Sequence, residues 1–369
     1  MVNPKILIAA GGTGGHVYPA IAIADALKAE NSATEVLFVG TRNHMEWKAV
    51  PKAGYEIVNV WISGFHRRLT LKNLLFPVKL ITALTQSLKI IASFKPHVVV
   101  SCGGYVAGPI GWIAGKQGIP IVIQEQNGFP GVTNRLLAKF ASRIFTAFKE
   151  AEKFLPADKI TVSGNPTRNT LTAVDKNIGL HAYGFNESKP VLLIMGGSGG
   201  AKSINEAVKE NLEALHDKAG LQIIWQCGSR YYDALTGEID EAKYPNLRLT
   251  EFIDNMPEAY AAADLVISRA GASSCSEFML TGMPSVLIPS PNVAGDHQTE
   301  NAKAMADAGA SELLKDEDAV NALPELVNKL ISDQEKLKKM NLAALSLAKP
   351  NAAKEIAQEI LELAKSRMN

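Results

Sequence analysis

The chain contains the turn Gly11–Gly15 (GGTGG), which follows the apolar run Ile6–Ala10, and the turn Gly196–Gly200 (GGSGG), which follows Val191–Met195. Glycine lets the backbone turn sharply and lets another molecule approach the main chain. The first amide groups of a helix that follows such a turn have no partner within the helix and can bind an anion. The repetition of this device in a chain of 369 residues predicts two similar α/β domains, each with an anion-binding loop that faces a shared cleft.

Short apolar runs alternate with helix-like segments along the whole chain. Runs that are apolar throughout are typical of sheets covered on both faces. Their alternation with helices predicts an α/β fold with two doubly wound, parallel, Rossmann-like sheets. The predicted strands are Lys5–Ala10, Glu35–Val39, Glu56–Val60, His97–Ser101, Ile119–Gln124, Arg143–Thr146 and Ile160–Val162 in the first half, and Pro190–Met195, Leu221–Gln226, Leu247–Glu251, Leu265–Ser268, Ser285–Ile288 and Ala310–Leu314 in the second.

Two clusters of structure-breaking residues predict the domain boundaries. Gly164-Asn165-Pro166 separates the two sets of strands, so the first domain is predicted to comprise residues 1–164 and the second residues 165–349. Lys349-Pro350-Asn351 ends the last helical pattern of the second domain. Residues 350–369 are therefore predicted to form a separate helix, Ala352–Ser366, that returns to the first domain.

The net charge of +1 does not favour a general nucleic-acid-binding protein. The charged residues are nevertheless unevenly distributed along the chain. No acidic residue lies between Glu56 and Glu125. The basic residues of that stretch are Arg67, Arg68, Lys72, Lys79, Lys89, Lys95 and Lys116. Because the same stretch holds the apolar cluster Leu74–Val78, the region around Arg67–Lys79 is predicted to rest on anionic lipid headgroups. No apolar run approaches the length needed to cross a bilayer.

The sequence departs from several common site motifs. Gly196–Ser203 approximates the Walker A pattern, but Ala201 replaces the glycine before the lysine, and Val17 replaces the third glycine of a dinucleotide fingerprint. Asp316–Asp318 has the D-x-D form but precedes a helical pattern, so we interpret it as a charged helix start and expect no catalytic metal. The cysteines, Cys102, Cys227 and Cys275, form no CxxC pair, which indicates neither a disulfide framework nor a structural zinc site.

Polar side chains that follow the predicted strands are the candidate site residues. His16 comes directly after the first glycine turn, and it is either a surface or helix-capping residue or a general base, since imidazole titrates near neutral pH. Glu277 lies near the start of the helix after Leu265–Ser268. It is either a solvent-facing carboxylate favoured by the helix dipole or an acceptor for two ribose hydroxyls. The short polar residues of Asp296–Asn301 are expected to bind hydroxyl groups, for instance those of a sugar.

Taken together, the motifs resemble the MurG family of peptidoglycan N-acetylglucosaminyltransferases over essentially the whole chain. The matching stretches are GGTGGHVYPA at 11–20, GGYVAGP at 103–109, EQN at 125–127, GNPTR at 164–168, GGSGGAKSIN at 196–205, EFIDNM at 251–256, SRAGASSCSE at 268–277 and DHQTENA at 296–302. The resemblance implies the two-domain GT-B fold. It also implies inverting transfer of GlcNAc from UDP-GlcNAc to undecaprenyl-diphosphoryl-MurNAc-pentapeptide (lipid I), giving lipid II at the cytoplasmic face of the membrane.

The resemblance also implies roles for individual residues. The implied donor-binding residues are Thr13, Gly14, Gly15, Asn127, Arg168, Ser198, Ile253, Glu277 and Gln298. The implied acceptor-binding residues are Thr13, His16, Tyr105 and Asn134. His16 is the predicted catalytic base, with Glu125 as the alternative, because the family's usual His-Glu-Gln-Asn is Gln124-Glu125-Gln126-Asn127 in this chain. No cofactor is expected, and other cell-wall synthesis proteins are expected partners.

Three alternative functions fit parts of the same pattern. Another lipid-directed GT-B glycosyltransferase would share the membrane surface and the donor site. A UDP-GlcNAc 2-epimerase would share the two-domain fold but would consume the nucleotide sugar without an acceptor. A nucleotide-sugar sensor or scaffold would leave His16 and Glu125 without a catalytic role.

Overall fold

The computed structural model describes residues 3–64, 75–167, 169–197, 199–218, 220–293 and 296–368. The chain divides into two compact units. The first comprises Met1–Thr167 and Pro350–Asn369, and the second comprises Arg168–Lys349. The division falls just beyond the Gly164-Asn165-Pro166 cluster.

Strands and helices alternate along both units. The strands are β1 (Lys5–Ala9), β2 (Glu35–Gly40), β3 (Glu56–Asn59), β4 (Val98–Ser101), β5 (Ile121–Glu125), β6 (Ala141–Thr146), β7 (Ile160–Val162), β8 (Val191–Met195), β9 (Gln222–Gln226), β10 (Leu247–Thr250), β11 (Leu265–Ser268), β12 (Ser285–Leu287) and β13 (Ser311–Leu313). The helices are α1 (Gly14–Glu30), α2 (Glu46–Lys52), α3 (Phe76–Phe94), α4 (Ala107–Lys116), α5 (Val132–Leu137), α6 (Lys176–Tyr183), α7 (Lys202–Glu210), α8 (Ser229–Glu238), α9 (Met256–Ala262), α10 (Ala272–Thr281), α11 (His297–Asp307), α12 (Ala319–Ser332), α13 (Gln334–Leu347) and α14 (Ala352–Met368).

Each unit is built on one twisted parallel sheet. Within the described residues, the first sheet has seven strands in the order β3-β2-β1-β4-β5-β6-β7, and the second has six in the order β10-β9-β8-β11-β12-β13. On β1, Ile6 lies opposite Val36 of β2 on one side and Val98 of β4 on the other. The predicted fold class, with two doubly wound parallel sheets, is therefore confirmed. The strand order reverses beside β1 in the first sheet and beside β8 in the second, and ligands bind parallel α/β sheets at such reversals.

Helices cover both faces of each sheet, which explains why the strands are apolar on both sides. In the first unit, Ile23 of α1 and Ile360 of α14 are buried on one face of the sheet, and Ile91 of α3 and Ile110 of α4 are buried on the other. In the second unit, Ile204 of α7 and Leu323 of α12 are buried on one face, and Phe278 of α10 and Met305 of α11 on the other. Helix α14 belongs to the first unit and packs against α1.

The strand ends differ from the prediction only locally. For example, β5 begins at Ile121 rather than at Ile119, because Pro120 has no N–H group to donate to a neighbouring strand. Among the described residues, no helix is both long enough and apolar enough to cross a membrane.

Candidate active site

The predicted site residues of each unit lie along the carboxyl edge of its sheet. In the first unit, the first glycine turn follows β1, a second glycine turn at Gly103–Gly104 follows β4, and Glu125 ends β5. Because β1 and β4 are neighbours at the strand-order reversal, the two glycine turns are side by side. This is the position at which parallel α/β sheets bind ligands.

The two turns of the first unit touch through their backbones. Gly104 has a φ of +82°, and a Cβ atom there would lie well inside contact distance of the Gly11 carbonyl oxygen. Only glycine fits both requirements, because it adopts positive φ without strain and carries no side chain. The close approach of these two turns fixes the path of the backbone on which His16 is mounted.

His16 lies in the first turn of α1, against both glycine turns. Its Nδ1 atom is 3.1 Å from the Gly11 carbonyl oxygen and 3.3 Å from Thr13 Oγ1. Since a carbonyl oxygen can only accept, we assign the ring proton to Nδ1, and Nε2 is then the basic nitrogen of the neutral ring. A Cβ atom at Gly103 would lie 2.8 Å from Cδ2 and 3.0 Å from Nε2 of this ring. Glycine at 103 therefore leaves the space that the imidazole ring needs in this position.

Glu46, at the start of α2, is a site residue that the sequence analysis missed. Its side chain is fully buried, and its carboxylate accepts hydrogen bonds from the Gly12 amide at 3.1 Å and the Thr41 amide at 3.0 Å. The Gly12 amide is therefore directed toward a carboxylate and not toward a ligand. The bond removes the Gly12 amide from the predicted anion site, whereas the amides of Gly14 and Gly15 have no acceptor among the described residues.

Glu125 is also buried, with 1% of its surface exposed, and both of its carboxylate oxygens accept hydrogen bonds. Oε1 accepts from the Asn127 amide at 3.0 Å and from Asn127 Nδ2 at 3.3 Å. Oε2 accepts from the Gly131 amide at 3.0 Å and from Asn134 Nδ2 at 2.9 Å. The Glu125 carboxylate thus links both ends of the loop between β5 and α5 by hydrogen bonds.

Asn134 and the neighbouring amides form a buried polar network around that loop. Asn134 is 1% exposed, and its Oδ1 accepts from Ser101 Oγ at 3.0 Å. Gln124 is fully buried and donates from Nε2 to Asn165 Oδ1 at 2.9 Å, and Gln126 donates to Gln124 Oε1. Both polar atoms of Asn134 are thus bound within the protein. Tyr105 differs, because it is 59% exposed at the end of the β4 turn.

In the second unit, the Gly196–Gly200 turn after β8 makes a similar backbone contact, in this case with the turn after β9. Gly200 has a φ of +72°, and a Cβ atom there would overlap the Cys227 carbonyl oxygen. Gly228 has a φ of +88°, and a Cβ atom there would lie 2.5 Å from the Gly200 amide nitrogen. Gln226 Nε2 donates to the Gly197 carbonyl at 2.9 Å. The turn after β8 is therefore locked against the turn after β9.

Helix α7 begins directly after this turn and offers amide donors. The amides of Lys202, Ser203 and Ile204 have no hydrogen-bond acceptor in the described ranges of the chain. Unpaired amides at a helix start, together with the helix dipole, favour an anion such as a diphosphate.

The other donor residues predicted for the second unit follow neighbouring strands. Ile253 is 4% exposed in the loop between β10 and α9, so it offers its backbone rather than its side chain. Glu277, in the second turn of α10, accepts a hydrogen bond from the Tyr260 hydroxyl at 2.6 Å. Gln298, at the start of α11, accepts from the Ser290 amide at 2.8 Å through Oε1, which directs its NH₂ group away from that bond.

Arg269, directly after β11, makes contacts within the protein that are structural. Its guanidinium donates to Asp316, to Ser203 Oγ at 2.7 Å and to the Ile288 carbonyl at 3.0 Å. Asp316, which begins the D-x-D segment, also accepts from Ser203 Oγ at 2.6 Å and lies in a short 3-10 turn before α12. The carboxylate is thus tied to an arginine at a helix start. The described part of the chain contains no group of three or more His, Cys, Asp or Glu residues that could hold a metal ion.

Several predictions fall on residues outside the described ranges: Arg168, Ser198 and the segment 65–74, which includes Arg67, Arg68 and Lys72. The described part of the predicted membrane region begins at Leu75.

The three cysteines are buried, and burial raises the pKa of Cys227 to about 11 and that of Cys275 to about 12. Because the thiolate is the reactive form, these two thiols are unreactive near neutral pH.

Comparison with known proteins assigns the two units to one class of enzyme. Residues 6–146 match the glycosyltransferase family 28 N-terminal domain, and residues 191–360 match the glycosyltransferase family 28 C-terminal domain. The folds and the strand-end loops are thus those of a family 28 glycosyltransferase.

Full-length relatives define the family more narrowly. The chain is 45% identical over 361 residues to the UDP-N-acetylglucosamine--N-acetylmuramyl-(pentapeptide) pyrophosphoryl-undecaprenol N-acetylglucosamine transferase of Salinibacter ruber, a match that covers 98% of this chain and 97% of that protein. It is 44% identical over 365 residues to the transferase of the same name from Bacteroides thetaiotaomicron, with 98% of each chain covered. The chain belongs to this family, the MurG family, as the resemblance predicted.

Solved structures agree with this assignment. The crystal structure of Acinetobacter baumannii MurG matches with a TM-score of 0.72 and 30% identity, covering 98% of this chain and 100% of that one. A UDP-N-acetylglucosamine 2-epimerase matches with a TM-score of 0.70, covering 98% of this chain and 96% of that one, but at 15% identity. The likeness to the epimerase concerns the fold alone.

Proposed function

We propose that this chain transfers GlcNAc from UDP-GlcNAc to the C4 hydroxyl of MurNAc in lipid I, with inversion at the anomeric carbon. The observation that carries the proposal is the match to transferases of that name over nearly the whole chain. The strand-end loops support it because each unit has its own set of polar groups at the edge where parallel sheets bind ligands. The donor is assigned to the second unit and the acceptor to the first.

On the donor side, the start of α7 is proposed to hold the diphosphate. The amides of Lys202, Ser203 and Ile204 can stabilise the negative charge that develops on the departing UDP, because they are fixed before the reaction begins. Arg168 and Ser198 stay predicted phosphate contacts. Two further groups complete the donor site: the Ile253 backbone for the uracil edge and the Glu277 carboxylate for the ribose diol.

Two residues are proposed to meet the transferred sugar. The NH₂ group of Gln298 can donate to a GlcNAc hydroxyl, since its Oε1 already accepts from Ser290. Asn127 of the first unit is held by Glu125 through its amide and Nδ2, and its Oδ1 accepts no hydrogen bond from the described part of the chain.

On the acceptor side, His16 is proposed to remove the proton of the attacking hydroxyl. The bond from Nδ1 to the Gly11 carbonyl fixes the tautomer that leaves Nε2 basic. Thr13 and the amides of Gly14 and Gly15 are proposed to contact phosphate groups, and exposed Tyr105 the acceptor itself.

Glu125 and Asn134 are proposed to position this machinery rather than to touch the acceptor. Glu125 accepts four hydrogen bonds from three residues, and a base in that state must break native bonds before it can take a proton. Both polar atoms of Asn134 are bound to protein partners. Their joint effect is to hold Asn127 in place.

The first unit is proposed to associate peripherally with the cytoplasmic face of the membrane through α3. The exposed apolar residues there are Leu75, directly before α3, and Val78, Ile81 and Leu88 of α3, which are 52%, 52%, 66% and 46% exposed. The neighbouring helix α4 adds Trp112, whose ring lies 5.4 Å from Lys116 Nζ. Exposed apolar groups beside lysines suit insertion among anionic lipid headgroups.

The overall proposal is tested by turnover in EDTA with and without an acceptor. With a lipid I analogue, we expect UDP and the disaccharide product to form in equal amounts, because the protein amides supply the stabilisation of the leaving group. Liquid chromatography with mass detection measures both products. Consumption of UDP-GlcNAc at the same rate without acceptor, with formation of its 2-epimer, would contradict the proposal.

The base assignment is tested by His16→Ala. We expect kcat to fall by about 10²–10⁴-fold, the range that a general base contributes. UDP affinity should be unchanged, because His16 is proposed to act on the acceptor hydroxyl and not on the nucleotide. The decline in rate at acidic pH should disappear, since that decline reports protonation of the base. His44→Ala, which removes an exposed histidine of the same unit, is the matched control. Near-normal kcat in His16→Ala with collapse in Glu125→Gln would reverse the two roles.

Membrane association is tested by Val78→Ser combined with Ile81→Ser. Each apolar side chain that leaves the lipid loses part of the roughly 1.5–3 kcal/mol of its full burial. We therefore expect at least about a tenfold drop in the partition coefficient on phosphatidylglycerol-containing vesicles, measured by co-sedimentation. Ile178→Ser with Leu342→Ser alters residues of similar exposure, 55% and 58%, in the second unit and serves as control. Equal sedimentation of both double variants would place the membrane surface elsewhere.

A further inference from the structure

One buried hydroxyl stands directly behind the proposed ribose contact. Tyr260, on α9, is 3% exposed, and its hydroxyl donates to Glu277 Oε2 at 2.6 Å. Burial, followed by the charge of Glu277, raises the pKa of Tyr260 well above its ordinary value. The hydroxyl therefore keeps its proton and acts as a donor throughout the working pH range.

The ring of Tyr260 is fixed by packing. It meets the Phe278 ring edge-on, with 6.0 Å between centroids and 87° between planes. Its hydroxyl also lies 4.0 Å from Met195 Sδ, at the end of β8 and directly before the Gly196–Gly200 turn. An apolar core position of this kind could hold phenylalanine. A buried hydroxyl is unfavourable unless it is hydrogen-bonded, so the tyrosine gains its advantage from the carboxylate.

The bond acts on the orientation of Glu277. The carboxylate is half-buried in the second turn of α10 and must present its oxygens to two adjacent hydroxyls in a defined plane. A glutamate side chain has three rotatable bonds, and ordering them on binding reduces affinity. The Tyr260 hydroxyl, which donates to Oε2, orders these bonds before the ligand binds.

We propose that Tyr260 is a positioning residue that orients Glu277 for the 2′- and 3′-hydroxyls of the donor ribose and so sets the preference for ribonucleotides over deoxyribonucleotides. This inference rests on the proposed donor site. It extends that site, because the same side chain also links α9, which follows the Ile253 loop, to the strand that carries the glycine turn. The ring thus contacts Glu277 directly and Met195 at the end of the strand that leads into the Gly196–Gly200 turn.

The inference is tested by calorimetric titration of UDP and 2′-deoxy-UDP into wild type, Tyr260→Phe, Glu277→Ala and the double variant. We expect Tyr260→Phe to weaken UDP binding about three- to tenfold, the range that one hydrogen bond supplies, and to weaken 2′-deoxy-UDP binding much less. The KM for UDP-GlcNAc should rise while kcat at saturation stays within about twofold, because the reacting atoms are not involved. In the Glu277→Ala background, Tyr260→Phe should have no further effect.

Tyr55→Phe is the matched control, because Tyr55 donates to Asp25 at 2.6 Å in the other unit, and its removal should leave UDP binding unchanged. Wild-type UDP affinity in Tyr260→Phe, or equal weakening of UDP and 2′-deoxy-UDP binding, would overturn the positioning role. If Glu277→Ala still weakened UDP binding, the proposed donor site would stand. Wild-type affinity in Glu277→Ala would overturn the ribose contact itself and the positioning role with it.

Discussion

The approach of one backbone turn to another at the strand ends is the constraint on which both units depend. In the first unit, Gly104 lies against the Gly11 carbonyl, and in the second, Gly200 lies against the Cys227 carbonyl. Positive φ angles and the absence of a side chain are both required at these points. The contacts bring the start of α1 and the start of α7 to fixed positions above their sheets. The amide donors at both helix starts, and His16 at the first, are placed by them.

Buried carboxylates complete this framework, and their partners determine their roles. Glu46 and Glu125 are at most 1% exposed and accept backbone amides, so each holds a loop in place. Glu277 is more exposed and accepts from the Tyr260 hydroxyl, a side chain rather than a loop amide, which suits contact with a ligand. Carboxylates of the same chemistry thus serve structure where they are buried against backbone amides and are proposed to serve recognition where they are partly exposed.

Much of this architecture could be predicted from the sequence because it depends on local pattern. Short apolar runs that alternate with helical patterns predicted every described strand of both sheets, and the two GG-x-GG turns marked the ligand-binding edges. Glu46 and Tyr260 could not be found in this way, because each acts through a partner in another element. Gly12 is 34 positions from Glu46, and Glu277 is 17 positions from Tyr260. A pattern reports how a residue lies in its own helix or strand, whereas its partner across the fold is set by tertiary packing.

The most direct test of this account compares Gly104→Ala with Gly118→Ala in acceptor turnover. Both glycines have positive φ, +82° and +65°, but a Cβ atom at 118 meets nothing within 4 Å, whereas one at 104 would overlap the Gly11 carbonyl. The two variants separate steric contact from backbone strain, because alanine at positive φ is destabilised by about 1 kcal/mol at either position. The account predicts that Gly104→Ala loses most of its kcat while it retains UDP affinity, and that Gly118→Ala keeps nearly normal kcat. Equal kcat values in the two variants would contradict it.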